Sequence, residues 1–227
     1  MKIKNYIYLL FAASVFMFAG CTYDNYTAPS STLSGTVGYQ GVGIGVRSNT
    51  CQLELWQHGF QLFTKIAVNI QQDGTYKALL FDGNYNLTYL YNVGPWVAKK
   101  DTVPVVVKGN TVVDFPVEPY FFIKSSSFVK SGTNIVGTLT LQQVNTTVAL
   151  QQVYIYLNTG TILDGTLNMA NATVLAAAIT DKTAPVTITV AIPATLATKP
   201  YLYARVGVKM TGVTELAYGA PQQVTLQ

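Results

Sequence analysis

The chain has 227 residues, with 14 basic and 10 acidic side chains, one histidine and two cysteines. Charged residues are 11% of the total, about half the usual share, and Lys and Arg do not cluster, which excludes the basic stripe of a nucleic-acid-binding surface. The cysteine count excludes a disulfide scaffold, and His58 alone cannot build a His-rich metal site, so neither a metal nor a cofactor is expected.

Lys2 and Lys4 precede an apolar run over residues 7–18. This run has the length of a signal-peptide core and is too short for a spanning helix, which takes about 20 residues. It ends in Phe18-Ala19-Gly20-Cys21, the layout of a bacterial lipobox. Small side chains at Ala19 and Gly20 let a peptidase close on the bond before Cys21, whose thiol takes the diacylglycerol and whose new amine is then acylated. Residues 1–20 are therefore expected to be a lipoprotein signal peptide, and Cys21 the lipidation site. Loss of Lys2 and Lys4 leaves the mature chain near neutral. Several acyl chains at about 0.8 kcal/mol per buried methylene make such an anchor effectively permanent. Residues 21–31 are polar, contain Pro29 and show no periodicity, as expected of a tether.

A first β-rich block is expected over residues 32–119. Strands are predicted at 33–37, 52–58, 65–71, 75–81 and 84–91, with Asp73-Gly74 and Asp82-Gly83 as turns. Tyr85, Leu87, Tyr89 and Tyr91 share one face of the last of these, opposite Asn84, Asn86 and Thr88, and form its expected core face. A closing hairpin is predicted from 103–107 and 111–117 around Lys108-Gly109-Asn110. Cys51 fits a small buried hydrophobe at a strand start. The glycines of 41–45 lie between short β-like runs rather than before a helix, so they do not form a phosphate loop. Trp56 projects with Gln52, Glu54 and His58 from the polar face of its strand, where it either stacks on a ligand or is covered by a loop or a second domain. Residues two and four apart on a strand are about 7 and 13 Å apart, so Glu54 and His58 make no preset catalytic dyad. Trp96 follows Gly94-Pro95 and is either a stacking platform or a plug under its loop.

Pro116 and Pro119 bracket the passage into a second block over residues 120–227. Strands are predicted at 135–142, 152–157, 186–192, 201–210 and 222–226, and a short helix within the alanine-rich 170–179. Val153, Ile155 and Leu157 alternate with Tyr154 and Tyr156; Leu202, Ala204, Val206 and Val208 alternate with Tyr201, Tyr203 and Arg205. If these two runs are neighbouring strands C and F of an immunoglobulin-like sandwich, the four tyrosines and Arg205 form one outward patch. Such a patch suits a glycan, because aromatic faces cover the C–H side of a pyranose while polar groups take its hydroxyls. It equally suits an interdomain or partner surface, or cross-strand pairs that stabilise the sheet.

The fold expected is all-β, with two tandem sandwiches. Leu33-Ser34-Gly35-Thr36-Val37, Asp73-Gly74-Thr75-Tyr76 and Phe81-Asp82-Gly83-Asn84-Tyr85-Asn86-Leu87 resemble the carboxypeptidase-regulatory-like or transthyretin-like sandwich. Together with the start from Cys21 to Pro29 and Asp114-Phe115-Pro116-Val117-Glu118-Pro119-Tyr120, the chain resembles Bacteroidetes lipoproteins of unknown function (domain of unknown function 3823 type). The resemblance implies an outer-membrane lipoprotein accessory to a SusC/SusD-type glycan-uptake system, with an immunoglobulin- or fibronectin-like second domain and no catalytic residues. Its expected partners are the membrane, a polysaccharide or oligosaccharide, and the transporter. The cell surface is preferred over the periplasmic face, although Asp24 is the only acid of Thr22-Tyr23-Asp24-Asn25 and both orientations stay open. The alternative is a structural or adhesive surface spacer.

Overall fold

A computed structural model describes residues 27–59 and 63–227. The expected signal peptide, the expected lipidation site Cys21 and most of the expected tether lie outside the described residues. Ser31, placed in the tether by sequence, instead opens the first strand and is buried.

Nine strands build the first sandwich: β1 (Ser31–Tyr39), β2 (Val42–Gly43), β3 (Gln52–Trp56), β4 (Lys65–Asn69), β5 (Thr75–Leu80), β6 (Gly83–Tyr89), β7 (Val103–Val107), β8 (Asn110–Val112) and β9 (Phe115–Pro116). One sheet is ordered β2-β1-β5, with β8 and β9 pairing in parallel on β1; the other is β4-β3-β6-β7. Both Asp-Gly turns carry the chain from one sheet to the other. At the first, Asp73 Oδ1 accepts the amide and hydroxyl of Thr75 (3.0 and 2.7 Å), while Gly74 takes a φ of 88° that other residues rarely adopt. Leu33, Val37, Leu53, Leu55 and Leu87 point between the sheets and are fully buried; each contributes about 1.5–3 kcal/mol. The tyrosine face of β6 is the core face through Tyr89, where the strand ends, and Tyr91 beyond it is exposed. Tyr85 and Tyr89 satisfy their hydroxyls on the carbonyls of Phe81 and Val97, each at 3.0 Å. The predicted 103–107/111–117 hairpin does not form. β7 pairs with β6, while β8 and β9 cross to β1, because the turn at Gly109 is held by Ser31 and Asp82 of the neighbouring elements.

The second sandwich contains β10 (Phe121–Ser131), β11 (Asn134–Gln143), β12 (Leu150–Asn158), β13 (Ala170–Leu175), β14 (Val186–Ala191), β15 (Tyr201–Met210), β16 (Ala217–Tyr218) and β17 (Gln222–Thr225). Its sheets are β10-β11-β14 and β13-β12-β15-β16, with β17 also on β15. Val153, Ile155, Leu157, Leu202, Ala204, Val206 and Val208 face Ile135, Leu139 and Ile188 across the core. β12 and β15 are antiparallel neighbours, as strands C and F of an immunoglobulin-like sandwich would be. The helix expected in 170–179 is instead β13 followed by a single 3-10 turn, Ala176–Ala178. Thr173 and Val174 suit a strand, and pairing with the open side of β12 overrides the weak helical preference of the alanines. β10 was not foreseen, because its serines at 125–127 look like a linker.

Candidate functional site

The outward face of β12 and β15 is ordered by register. Tyr156 lies between Asn171 of β13 and Arg205 of β15; Tyr154 lies between Thr173 and Gly207; Gln152 lies beside Lys209. Being two apart on one strand face, Tyr154 and Tyr156 stack with ring centroids 5.4 Å apart and planes 15° from parallel. The Gln152 amide donates to the Tyr154 hydroxyl. The ring of Tyr218, on β16 opposite Gly207, lies 6.1 Å from that of Tyr156.

This face is not left to solvent as a whole, and the expected single patch of four tyrosines and Arg205 is corrected accordingly. Arg205 is 1% exposed and Tyr156 3%. The first domain and the loop over residues 159–169 land on Arg205, while Leu163 of that loop and Tyr218 pack on Tyr156. Arg205 Nε donates to Gly219 O at 2.8 Å and Nη1 to Leu163 O at 3.0 Å, within its own domain. Nη2 crosses to the first domain and donates to Val46 O (3.2 Å) and Gln72 O (2.6 Å), and the guanidinium stacks 4.5 Å over the Tyr218 ring. Burial pulls the Arg205 pKa down to about 10, so it stays cationic at neutral pH. The backbone also bridges the domains, with Tyr218 N donating to Gly45 O at 2.9 Å. Arg47 Nη2 pairs with Glu215 at 3.2 Å, and Thr50 Oγ1 donates to the other Glu215 oxygen at 3.1 Å. Asp164 anchors the covering loop: burial opposes its ionisation but is outweighed by hydrogen bonds from the hydroxyl and amide of Thr166 and the amide of Leu167, so its pKa falls. Burial, with the neighbouring Tyr218 hydroxyl, drives the Tyr156 pKa upward.

Tyr201 and Tyr203 sit at the far end of β15, edge to face at 5.9 Å. Tyr203 packs against the Tyr156–Leu163–Tyr218 cluster, and Tyr201 is exposed. Neither lines the space beside Tyr154. Trp96 is no platform: it is buried in the first core, 6.2 Å from the Tyr89 ring, and its backbone bridges to Pro119. Trp56 keeps its outward position but is half-covered. Its indole N–H donates to Glu54 at 3.3 Å, and the exposed ring of Phe63 lies 5.1 Å away and stacks on His58. Cys51 is fully buried beneath the interface, and burial followed by the nearby Glu215 carboxylate pushes its thiol up to about 12.

What remains open between the domains is a cleft of ≈360 Å³. Tyr154 and Tyr156 line it together with Arg47 from the first domain and Lys209, Glu215 and Asn171 from the second. Lys209 Nζ donates to the carbonyls of Val213 and Thr214. Sequence reasoning missed Arg47, Glu215 and Lys209. Arg47 lies in a glycine-rich connection and Glu215 in a turn, where no periodicity speaks, but Lys209 continues the outward register of Arg205 and could have been found. Among the described residues no three His, Cys, Asp or Glu side chains group as a metal site would.

Family models match both sandwiches: the N-terminal domain of a protein of unknown function (DUF3823) over residues 31–118, and a C-terminal domain of unknown function (DUF3823_C) over 121–223. A DUF3823 family protein from Bacteroides ovatus is 37% identical with a TM-score of 0.81, over 88% of this chain and 100% of that one. A second, from Parabacteroides merdae, is 30% identical with a TM-score of 0.80 over the same shares. A Bacteroides uniformis protein with a provisional carbohydrate-binding assignment shares the fold at 20% identity and a TM-score of 0.72, over 87% of this chain and 100% of that one. No curated protein matches the chain. With both sandwiches matched and solved relatives at this level of identity, the chain belongs to the DUF3823 family.

Proposed function

We propose that the protein is a non-catalytic, glycan-binding lipoprotein, anchored in the outer membrane through Cys21, that serves a SusC/SusD-type uptake system from the cell surface. The observation that carries the binding role is the stacked Tyr154–Tyr156 pair lining a cleft of ≈360 Å³ with charged and amide side chains around it. Rings that bind the apolar face of a sugar beside convergent polar groups are the usual means of orienting such a ligand, and the cleft is in the size range of small-molecule sites. Glu215, the carboxylate at the cleft, has both oxygens engaged by Arg47 and Thr50, which favours holding a ligand over acid–base chemistry. The provisional carbohydrate-binding assignment of the Bacteroides uniformis relative supports the same ligand class. The lipobox residues support the anchor, and the family resemblance supports the transporter as partner.

Affinity electrophoresis of the full chain in detergent against a panel of plant and host polysaccharides tests the binding role. At least one should retard the protein, and Tyr154→Ala should weaken that retardation by about tenfold, the loss of one stacking contact of about 1 kcal/mol or more. Absence of retardation across the panel, with no transporter subunit recovered in pull-downs, would refute it.

A further inference from the structure

The cleft assigned above to glycan holds more positive than negative charge, and the imbalance is fixed by the fold. Lys209 Nζ is tied to two main-chain carbonyls, Val213 O and Thr214 O, which hold an ammonium in place without neutralising it. Among the described residues no carboxylate lies within ion-pair distance of Lys209. Across the cleft Arg47 places one terminal nitrogen on Glu215, and its Nε and Nη1 make no hydrogen bond among the described residues. Glu215 is spent on Arg47 and Thr50. Behind the rings Arg205 is met by carbonyl oxygens; the carboxylates that act on it electrostatically, Asp164 and Asp73, are each occupied by hydrogen bonds from their own turns. The Tyr156 hydroxyl, on a residue 3% exposed, also has no hydrogen-bond partner among the described residues.

The hydroxyls of a neutral pyranose donate as well as accept and are held by a mixture of acceptors and donors, whereas the one carboxylate lining this cleft is already engaged. A sugar stacked on Tyr154, whose ring is backed by the buried Tyr156, instead meets two cations with donors to spare, of which the Arg47 fork suits a planar or tetrahedral anion. We infer that the ligand is an acidic oligosaccharide, its stacked unit carrying a carboxylate or a sulfate that Arg47 and Lys209 bind. This rests on the glycan reading of the cleft and narrows it.

The test uses the full chain in detergent and four polymers: polygalacturonate, the same polymer with its carboxyls reduced to alcohols, dextran sulfate, and plain dextran. Retention by polygalacturonate or dextran sulfate should exceed that by its neutral counterpart by about tenfold or more and fall with added salt; which of the two is retained identifies the anion. Lys209→Gln keeps a donor for the Val213 and Thr214 carbonyls and should remove most of the preference, with the unfolding midpoint unchanged. Tyr154→Ala should remove it as well, whereas diffuse attraction to a basic surface would survive that change. Equal retention of charged and neutral polymers would overturn the acidic ligand while leaving glycan binding intact. Charged-polymer retention that withstands both substitutions would overturn it too. Retention by none of the four overturns the acidic ligand, and only failure across neutral polysaccharides as well would remove the glycan reading itself.

Discussion

Replacing Arg205 by methionine should uncouple the two sandwiches and abolish the cleft without replacing any residue that lines it. The native guanidinium donates to four main-chain carbonyls, those of Gly219, Leu163, Val46 and Gln72, and is 1% exposed. No carboxylate contacts it within ion-pair distance among the described residues, so its charge is balanced by oriented peptide dipoles. Hydrogen bonds from a charged group contribute about 1.5–3 kcal/mol each before the cost of burying the charge, and that cost is itself several kcal/mol. The net worth of the side chain is therefore small compared with the cost of truncating it, which strands four buried carbonyls. Each stranded buried acceptor costs about 1–3 kcal/mol, and water entering the exposed side of the interface recovers part, leaving about 3–5 kcal/mol in all. Two of the four carbonyls belong to the first domain, so about half of this should appear as lost interdomain coupling. Urea unfolding followed separately by the fluorescence of the first-domain tryptophans and by far-ultraviolet circular dichroism should show coincident transitions in the native chain and divergent ones in Arg205→Met. Arg205→Lys, which keeps the charge but cannot span both domains, should fall between. A methionine variant within about 0.5 kcal/mol of native, an effect no larger than an ordinary surface substitution, with coincident transitions, would refute the clamp.

A Cβ on Gly45 would lie 2.3 Å from Tyr218 O across the interface, so Gly45→Ala should cost about 1–3 kcal/mol as overpacking does and speed proteolysis at the linker near Pro119; protection like that of the native chain would contradict the close approach. Cys51 and Tyr76 both have pKa values raised by burial to about 12, from ordinary values of 9.0 and 10.0. The folded state thus holds these protons more tightly than the unfolded one. Their contribution is complete below pH 9 and is lost as pH climbs toward 12, so the urea midpoint should fall across that window, and a flat profile would contradict it. Cys21→Ala should leave the protein soluble or retained with its signal peptide, and unchanged outer-membrane fractionation would exclude lipid as the anchor.

Alternation made the cores legible in the sequence, because a period of two separates Leu53 and Leu55 from Glu54 and Trp56, and Val153, Ile155 and Leu157 from Tyr154 and Tyr156, whatever the sheets later pack against. The same pattern cannot say what an outward face meets. It put Arg205 and Tyr156 outside the second sandwich, yet both are buried: the first domain meets Arg205 through Val46 and Gln72, and Leu163 of the covering loop packs with Tyr218 against Tyr156. Trp96 shows the complementary limit. Its position after Gly94-Pro95 left plug and platform equally open, and only the bridge to Pro119 and the neighbouring Tyr89 ring decide for the plug. Pairing between the sheets was equally hidden. The turn at Gly109 looks local, yet its stability comes from Ser31 and Asp82, contacts that no window of sequence contains.

The cleft belongs to this second, illegible class for a reason that also bears on its use. Arg47 and Glu215, paired beside it, are 168 positions apart in the chain, so the site exists only while the two sandwiches are docked. A cleft shaped by docking needs no ordering of its own loops when a ligand arrives, provided the interface is rigid, and rigidity lowers the cost of binding. The contacts that make it rigid are those just behind the tyrosines: the Arg205 guanidinium, the Tyr218–Gly45 backbone bridge and the Arg47–Glu215–Thr50 network. Substitutions there should weaken binding in proportion to the coupling they remove. Tyr154, half-buried and away from the domain contact, is where binding and stability can be separated.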